Sequence, residues 1–135
     1  MDGSPVSPPQ SLLLDAMRRG NVLSPDCPSR GVLDHLTSRW GVLVLISLES
    51  GTHRFSALRR LVGGVSERML AQTLKQLEQD GLVLRQALDV VPPHVEYSLT
   101  PMGQEAAVLV RMLTNWIEMN IPDILKFRAG NSARG

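Results

Sequence analysis

The 135-residue chain has a single cysteine, Cys27, so it cannot form a disulfide within itself. A lone thiol is typical of proteins of a reducing cytosol. The longest apolar run, GVLVLI at residues 41–46, is far shorter than the roughly 20 residues that a membrane helix needs. The first ten residues lack the basic start and the apolar stretch of a signal peptide. The sequence therefore predicts a soluble cytoplasmic domain without membrane contact.

Patterns typical of an enzyme or a metal site are also missing. The histidines His35, His53 and His94 are scattered and lack the paired spacing of metal ligands. The chain has neither a glycine-rich phosphate loop nor a nucleophile elbow. We therefore expect no enzymatic activity, no metal and no cofactor. Structural roles are expected for the histidines, with phosphate contacts as the alternative for His53 and His94.

Charge is nearly balanced over the whole chain. Fourteen Lys and Arg residues against 13 Asp and Glu residues give a net charge of +1, so the total does not indicate a nucleic-acid partner. Apolar residues make up 43% of the chain, which is typical of a globular domain. A case for DNA binding must therefore depend on where the charges lie.

Proline, serine and glycine positions divide the chain into three parts. Residues 1–24 are predicted to form a loose tail and a short helix from Ser11 to Gly20. Residues 25–120 are predicted to form the main domain. Residues 121–135 are predicted to form a separate short C-terminal helix and a tail.

Within the main domain, capping residues mark further helices. Pro28 suits the first position of a helix, and the apolar SRWGVLVLISLES that follows predicts a buried one. The segment THRF is a candidate edge strand, and Trp40 and Phe55 are expected in the core. A last helix is predicted to start after Thr100 as cap and to end at about Asn120, before Pro122.

Residues 66–81, SERMLAQTLKQLEQDG, predict a helix with two distinct faces. Ser66 suits its N-cap and Gly81 its left-handed stop. At 100° per residue, the leucines share one face. The opposite face carries no carboxylate and consists of Arg68, Gln72, Lys75 and Gln79.

The elements around this helix predict a winged helix-turn-helix, a mainly α fold with a small β-wing. A short helix from Ser56 to Val62 and a glycine turn precede it, and a hairpin from Leu82 to Leu99 follows as the wing. In such folds the second helix enters the major groove, where Arg and Lys bond guanine and Gln bonds adenine. The predicted DNA-binding residues are Arg54, Ser66, Arg68, Gln72, Lys75, Gln79, Arg85 and His94.

Two alternatives stay open at this point. The face without carboxylates is also compatible with an ordinary solvated helix surface. Winged helices serve as protein-interaction modules too, so the fold alone does not decide the partner. Salt-dependent binding to duplex DNA distinguishes the two functions.

Three stretches resemble the HxlR-type transcriptional regulators of bacteria and, in their fuller match, the quinone-oxidoreductase regulator subgroup. They are CPSRGVLDHLTSRW, GTHRFSALRRLVGGVSERMLAQTLKQLEQDGLVLR and VPPHVEYSLTPMG, and the similarity runs from about Cys27 to Trp116. The resemblance implies a homodimeric, DNA-binding regulator, commonly a repressor, with dimerisation helices flanking the winged domain at both ends. Arg39 stands where many members have lysine.

The resemblance also implies that Cys27 senses quinones, aldehydes, other electrophiles or oxidants, as some members do at this position. The additional C-terminal cysteine of some members is absent. With one cysteine per subunit, the chemistry is limited to alkylation, oxidation, a mixed disulfide, or a Cys27 bridge across the dimer. The alternative is a structural Cys27, with release from DNA by a non-covalent small ligand.

The C-terminal helix carries an apolar stripe at helical spacing, formed by Leu109, Leu113 and Trp116. Such a stripe covers either the domain's own core or a second subunit. Because the family is dimeric, we predict that these three residues form the homodimer interface.

Overall fold

The computed structural model describes residues 22–134, which contain five helices and one small sheet. The predicted helix from Ser11 to Gly20 lies outside the described residues. In chain order the elements are α1 (Pro28–Thr37), α2 (Arg39–Glu49), β1 (His53–Arg54), α3 (Phe55–Leu61), α4 (Glu67–Gln79), β2 (Val83–Leu88), β3 (His94–Leu99) and α5 (Pro101–Arg134).

Hydroxyl caps begin three of these helices. The side-chain oxygens of Ser38, Ser66 and Thr100 accept hydrogen bonds from the backbone N–H three residues later, at 3.0, 3.1 and 3.0 Å. Each cap satisfies one of the amides that a helix start leaves without a partner. The caps predicted at Ser66 and Thr100 are therefore confirmed.

The three strands form one antiparallel sheet in the order β1-β3-β2. The β2–β3 hairpin is the predicted wing, with Val83 opposite Leu99 at its base and Leu88 opposite His94 near its tip. The two residues of β1 pair with β3 at the free edge, which confirms the short edge strand. The predicted winged helix-turn-helix is thus the observed fold.

The core lies between α2, α4 and α5. The residue positions that α2 buries, 41, 44, 45 and 48, recur at helical spacing, and α5 closes the core with Ala107 and Val110. Trp40 and Phe55 pack against this core while half-buried, as expected. Within residues 22–134, no helix combines the length and apolarity that crossing a membrane requires.

The C-terminal end differs from the prediction. We expected one helix to end near Asn120 and a separate short helix to follow Pro122, but α5 is continuous over 34 residues, with Pro122 inside it. A proline within a helix removes a single backbone donor, here the one that would bond the carbonyl of Glu118. Good helix formers on both sides, such as Leu125 and Lys126, continue the pattern. At 1.5 Å per residue, α5 is about 51 Å long.

Candidate nucleic-acid interface

The helix-turn-helix consists of α3, a five-residue connection and α4. Gly64 has φ +86°, a left-handed conformation that a residue without Cβ adopts at little cost. Val62 and Val65, on either side of the glycines, are buried and fix the turn to the core. The buried face of α4 consists of Leu70, Thr73, Leu74 and Leu77. This packing points the opposite face of α4 to solvent.

That outward face is the predicted one. Arg68, Gln72, Lys75 and Gln79 are all exposed, and Ser66 lies exposed at the start of the helix. Among the described residues, no carboxylate forms an ion pair with Arg68 or Lys75. The face therefore presents two free cations and two amides along about 16 Å of helix.

Arg85, at the wing, lies close to this face. It stands opposite Tyr97 in the β2–β3 register, and both residues line a groove beside Lys75 and Glu78 of α4. Side chains of directly paired residues point to the same side of a sheet. The structure thus brings Arg85 and Lys75 together, with Glu78 as a nearby carboxylate.

Arg54 and His94 lie elsewhere. Arg54 is paired with Glu96, which is one residue out of step with Tyr97, so Arg54 and Arg85 point to opposite faces of the sheet. The Nε2 atom of His94 is 3.2 Å from a carboxylate oxygen of Glu96. These two predicted DNA contacts therefore do not adjoin the outward face of α4. Their contact with phosphates stays a prediction.

An ion pair between α3 and α4 was not foreseen. The Arg59 guanidinium donates to the Glu67 carboxylate at 2.9 Å, across the turn of the helix-turn-helix. Together with Arg60 these residues line a cleft between the two helices. Both partners are solvent-exposed, so the pair contributes little to stability. It does mean that the charge of Arg59 is already paired with a carboxylate of the same domain.

Cys27 is the N-cap of α1, as expected from its place before Pro28. Only 8% of it is exposed, and its side chain makes no capping hydrogen bond. Arg30, in the first turn of α1, donates to the carbonyl oxygens of Val22 and Leu23 at 3.3 and 3.2 Å. These bonds join the loop before α1 to the first turn of that helix, next to Cys27.

The α5 stripe is not used to cover the core of its own chain. Leu109, Leu113 and Trp116 are 66%, 49% and 57% exposed. An ion pair of Arg111 with Glu49 at 3.0 Å holds the first half of α5 against α2. The apolar stripe lies in this same half of the helix and faces away from the domain.

Comparison with known proteins agrees with this geometry. The family model for the HxlR-like helix-turn-helix matches residues 35–124. The uncharacterized HTH-type transcriptional regulator YtfH of Escherichia coli strain K12 is 56% identical over 124 residues, which is 92% of this chain and 98% of that protein.

Solved structures agree as well. That of ytfH from Salmonella typhimurium has a TM-score of 0.77 and 59% identity over 81% of this chain and 97% of its own. The oxidised form of the redox regulator HypR has a TM-score of 0.64 and 36% identity, over 70% of this chain and 97% of its own. The chain therefore belongs to the HxlR-like helix-turn-helix family and is a DNA-binding transcriptional regulator, not an enzyme.

Proposed function

We propose that the protein acts in the cytoplasm as a homodimeric repressor that binds an inverted-repeat operator through α4. The observation that carries this proposal is the outward face of α4, which is exposed and free of carboxylates and whose cations Arg68 and Lys75 form no ion pair among the described residues. Phosphates would repel a carboxylate there, and the four side chains present are the types that bond purines and phosphates.

The position of each side chain along α4 supports a division of roles. Residues near the start of a recognition helix reach base edges, which favours Arg68 and Gln72 as base contacts. Lys75 and Gln79 lie about one and two helical turns after Gln72, where they suit contacts with the phosphate backbone at the edge of the groove. The Ser66 hydroxyl accepts from its own helix but keeps its proton free, so it can donate to a phosphate.

Two copies are needed to read an inverted repeat. The exposed stripe of Leu109, Leu113 and Trp116 supports an interface between the α5 helices of two chains. A symmetric dimer places its two recognition helices in successive major grooves, about 34–36 Å apart. We therefore expect two half-sites separated by about one turn of duplex.

For regulation, we propose that an electrophile or oxidant modifies Cys27 and releases the operator. Support comes from the similarity to HypR, a redox regulator, and to YodB, whose solved structures include a diamide-treated form. The position of Cys27 supports it too, because the residue is buried at the N-cap of α1, and a group added to its thiol would need room that close packing does not leave there.

One observation favours a second candidate for regulation. Because Cys27 is only 8% exposed, a reagent in solution has little access to it. Beside the loop, Val22, Pro28, Val32 and Leu36 line an open apolar groove that a small non-covalent ligand would fit. In that case Cys27 is structural.

The DNA-reading role is tested by base discrimination. Operator sequences are first selected from random duplexes by the wild-type protein, and relative affinities are then measured for every single base-pair change. We expect Gln72→Ala to lose discrimination at one base pair of each half-site, worth about 1–3 kcal/mol. Gln104→Ala, which removes an exposed glutamine from α5, serves as the control with an unaltered profile.

Two outcomes would contradict the proposal. If Gln72→Ala leaves the profile unchanged, this residue does not read bases. If the wild-type protein enriches no sequence and binds duplexes without salt dependence, the protein-interaction module is the better reading.

A further inference from the structure

The C-terminal end of the recognition helix α4 carries a charge in an unfavourable place. Asp80 is the C-cap, and a carboxylate there faces the negative end of the helix dipole. The chain reverses immediately afterwards: Gly81 has φ +79°, and the Leu82 amide donates to the Leu77 carbonyl at 2.9 Å. A carboxylate held at such a site needs a compensating donor.

His35 of α1 supplies that donor. Its Nδ1 atom lies 2.6 Å from Oδ2 of Asp80, and the two side chains are 27% and 15% exposed. A short hydrogen bond to a largely buried carboxylate is stronger than a neutral one at the surface. None of the ten residues of α1 is buried, so few contacts hold α1 against the rest of the domain. The His35–Asp80 bond and the packing of half-buried Leu36 against the core are two of them.

The same junction is held from its other side by the start of α5. The Thr100 hydroxyl donates to the Gly81 carbonyl at 2.6 Å, and the Thr100 amide donates to the Leu82 carbonyl at 3.1 Å. The first turn of α5 also passes so close to Leu82 that a side chain at Gly103 would overlap its carbonyl. The end of the recognition helix is thus held between α1 and α5.

We propose that His35 is a positioning residue for DNA recognition, acting through Asp80 to fix the angle of α4 against α1. This inference rests on the proposed operator binding. A dimer reads its operator only when both recognition helices fit their grooves at once, so a small change in helix angle lowers specific affinity. Non-specific affinity depends on the number of cations near phosphates and is insensitive to that angle.

The test compares two substitutions of His35 on a selected operator and on an unrelated duplex of equal length. His35→Leu removes the donor, whereas His35→Asn places an amide nitrogen near the former Nδ1 position and retains it. We expect His35→Leu to lower operator affinity about three- to tenfold with unchanged affinity for the unrelated duplex. We expect His35→Asn to remain within about twofold of wild type, a rescue that side-chain volume alone would not produce.

A second variant, at Asp80, tests the acceptor of this hydrogen bond. It also keeps the inference testable if His35→Leu fails to fold. Asp80→Ala also breaks the bond, and the loss of a negative charge raises affinity for all DNA, so the ratio of operator to unrelated duplex is the quantity compared. We expect this ratio to fall in Asp80→Ala. In the double variant with His35→Leu it should fall no further, because both changes break one bond.

Three results would overturn the inference. They are an unchanged ratio in both single variants, fully additive losses in the double variant, and a His35→Asn variant as impaired as His35→Leu. A wild-type protein that shows no preference for any duplex would instead contradict the proposed function, and this is seen before any variant is made.

Discussion

Replacing Lys75 by glutamine should change how salt weakens DNA binding. Each reading surface has three exposed cations near the groove, Arg68, Lys75 and Arg85, so a dimer brings six to the duplex. At about −0.9 per neutralised phosphate, log affinity should fall with log salt at a slope near −5. Lys75→Gln removes one cation per subunit, which should reduce the steepness of this slope by about 1.8.

The expected difference is large enough for a simple titration. Between 50 and 200 mM KCl, wild-type affinity should fall by roughly 10³-fold and that of Lys75→Gln by roughly 10²-fold. Fluorescence anisotropy of a labelled operator duplex measures both. The chain's other lysine provides the control: Lys126→Gln makes the same change in net charge, at an exposed position near the far end of α5.

The comparison of the two lysines decides the outcome. If Lys126→Gln reduces the slope as much as Lys75→Gln does, the effect comes from overall charge. An unchanged slope in Lys75→Gln would show that this residue lies outside the contact. Either result would refute the placement of the outward face of α4 in the groove.

Two further predictions concern assembly and sensing. We expect Leu113→Glu to be monomeric in sedimentation velocity, because the dimer contact would bury an unpaired carboxylate. The control Asn115→Glu adds the same charge at an exposed position beside the stripe and should stay dimeric. A dimeric Leu113→Glu variant would place the interface elsewhere. We expect diamide to weaken operator binding by the wild type and not by Cys27→Ser, and equal weakening of both would make Cys27 structural.

The elements that local chemistry specifies were predicted well. Ser66 as cap, Gly81 as stop and the leucines between them define α4, because each signal lies within a few residues of its partner. The hairpin from Leu82 to Leu99, which forms the wing, was predicted from equally local signals. The outward face of α4 followed directly from the helical period.

Contacts between distant parts of the chain were not predicted. The pair of His35 with Asp80 joins residues 45 apart, and that of Arg111 with Glu49 joins residues 62 apart, so no local pattern indicates them. The sequence likewise predicted DNA contacts for both Arg54 and Arg85. Only the strand register shows that they occupy opposite faces of the sheet.

The closure of the core by Ala107 and Val110 has a consequence for biosynthesis. The apolar face of α2, with Val44 and Leu45, emerges from the ribosome some 60 residues before these two partners. At about 5–20 residues per second, the part of this face that α5 covers waits several seconds for its partners, during which chaperones can bind it. Leu113 follows shortly after Val110 on the same helix. If the proposed dimer forms through Leu113, a nascent chain therefore completes its own core at almost the moment when its dimer interface becomes available.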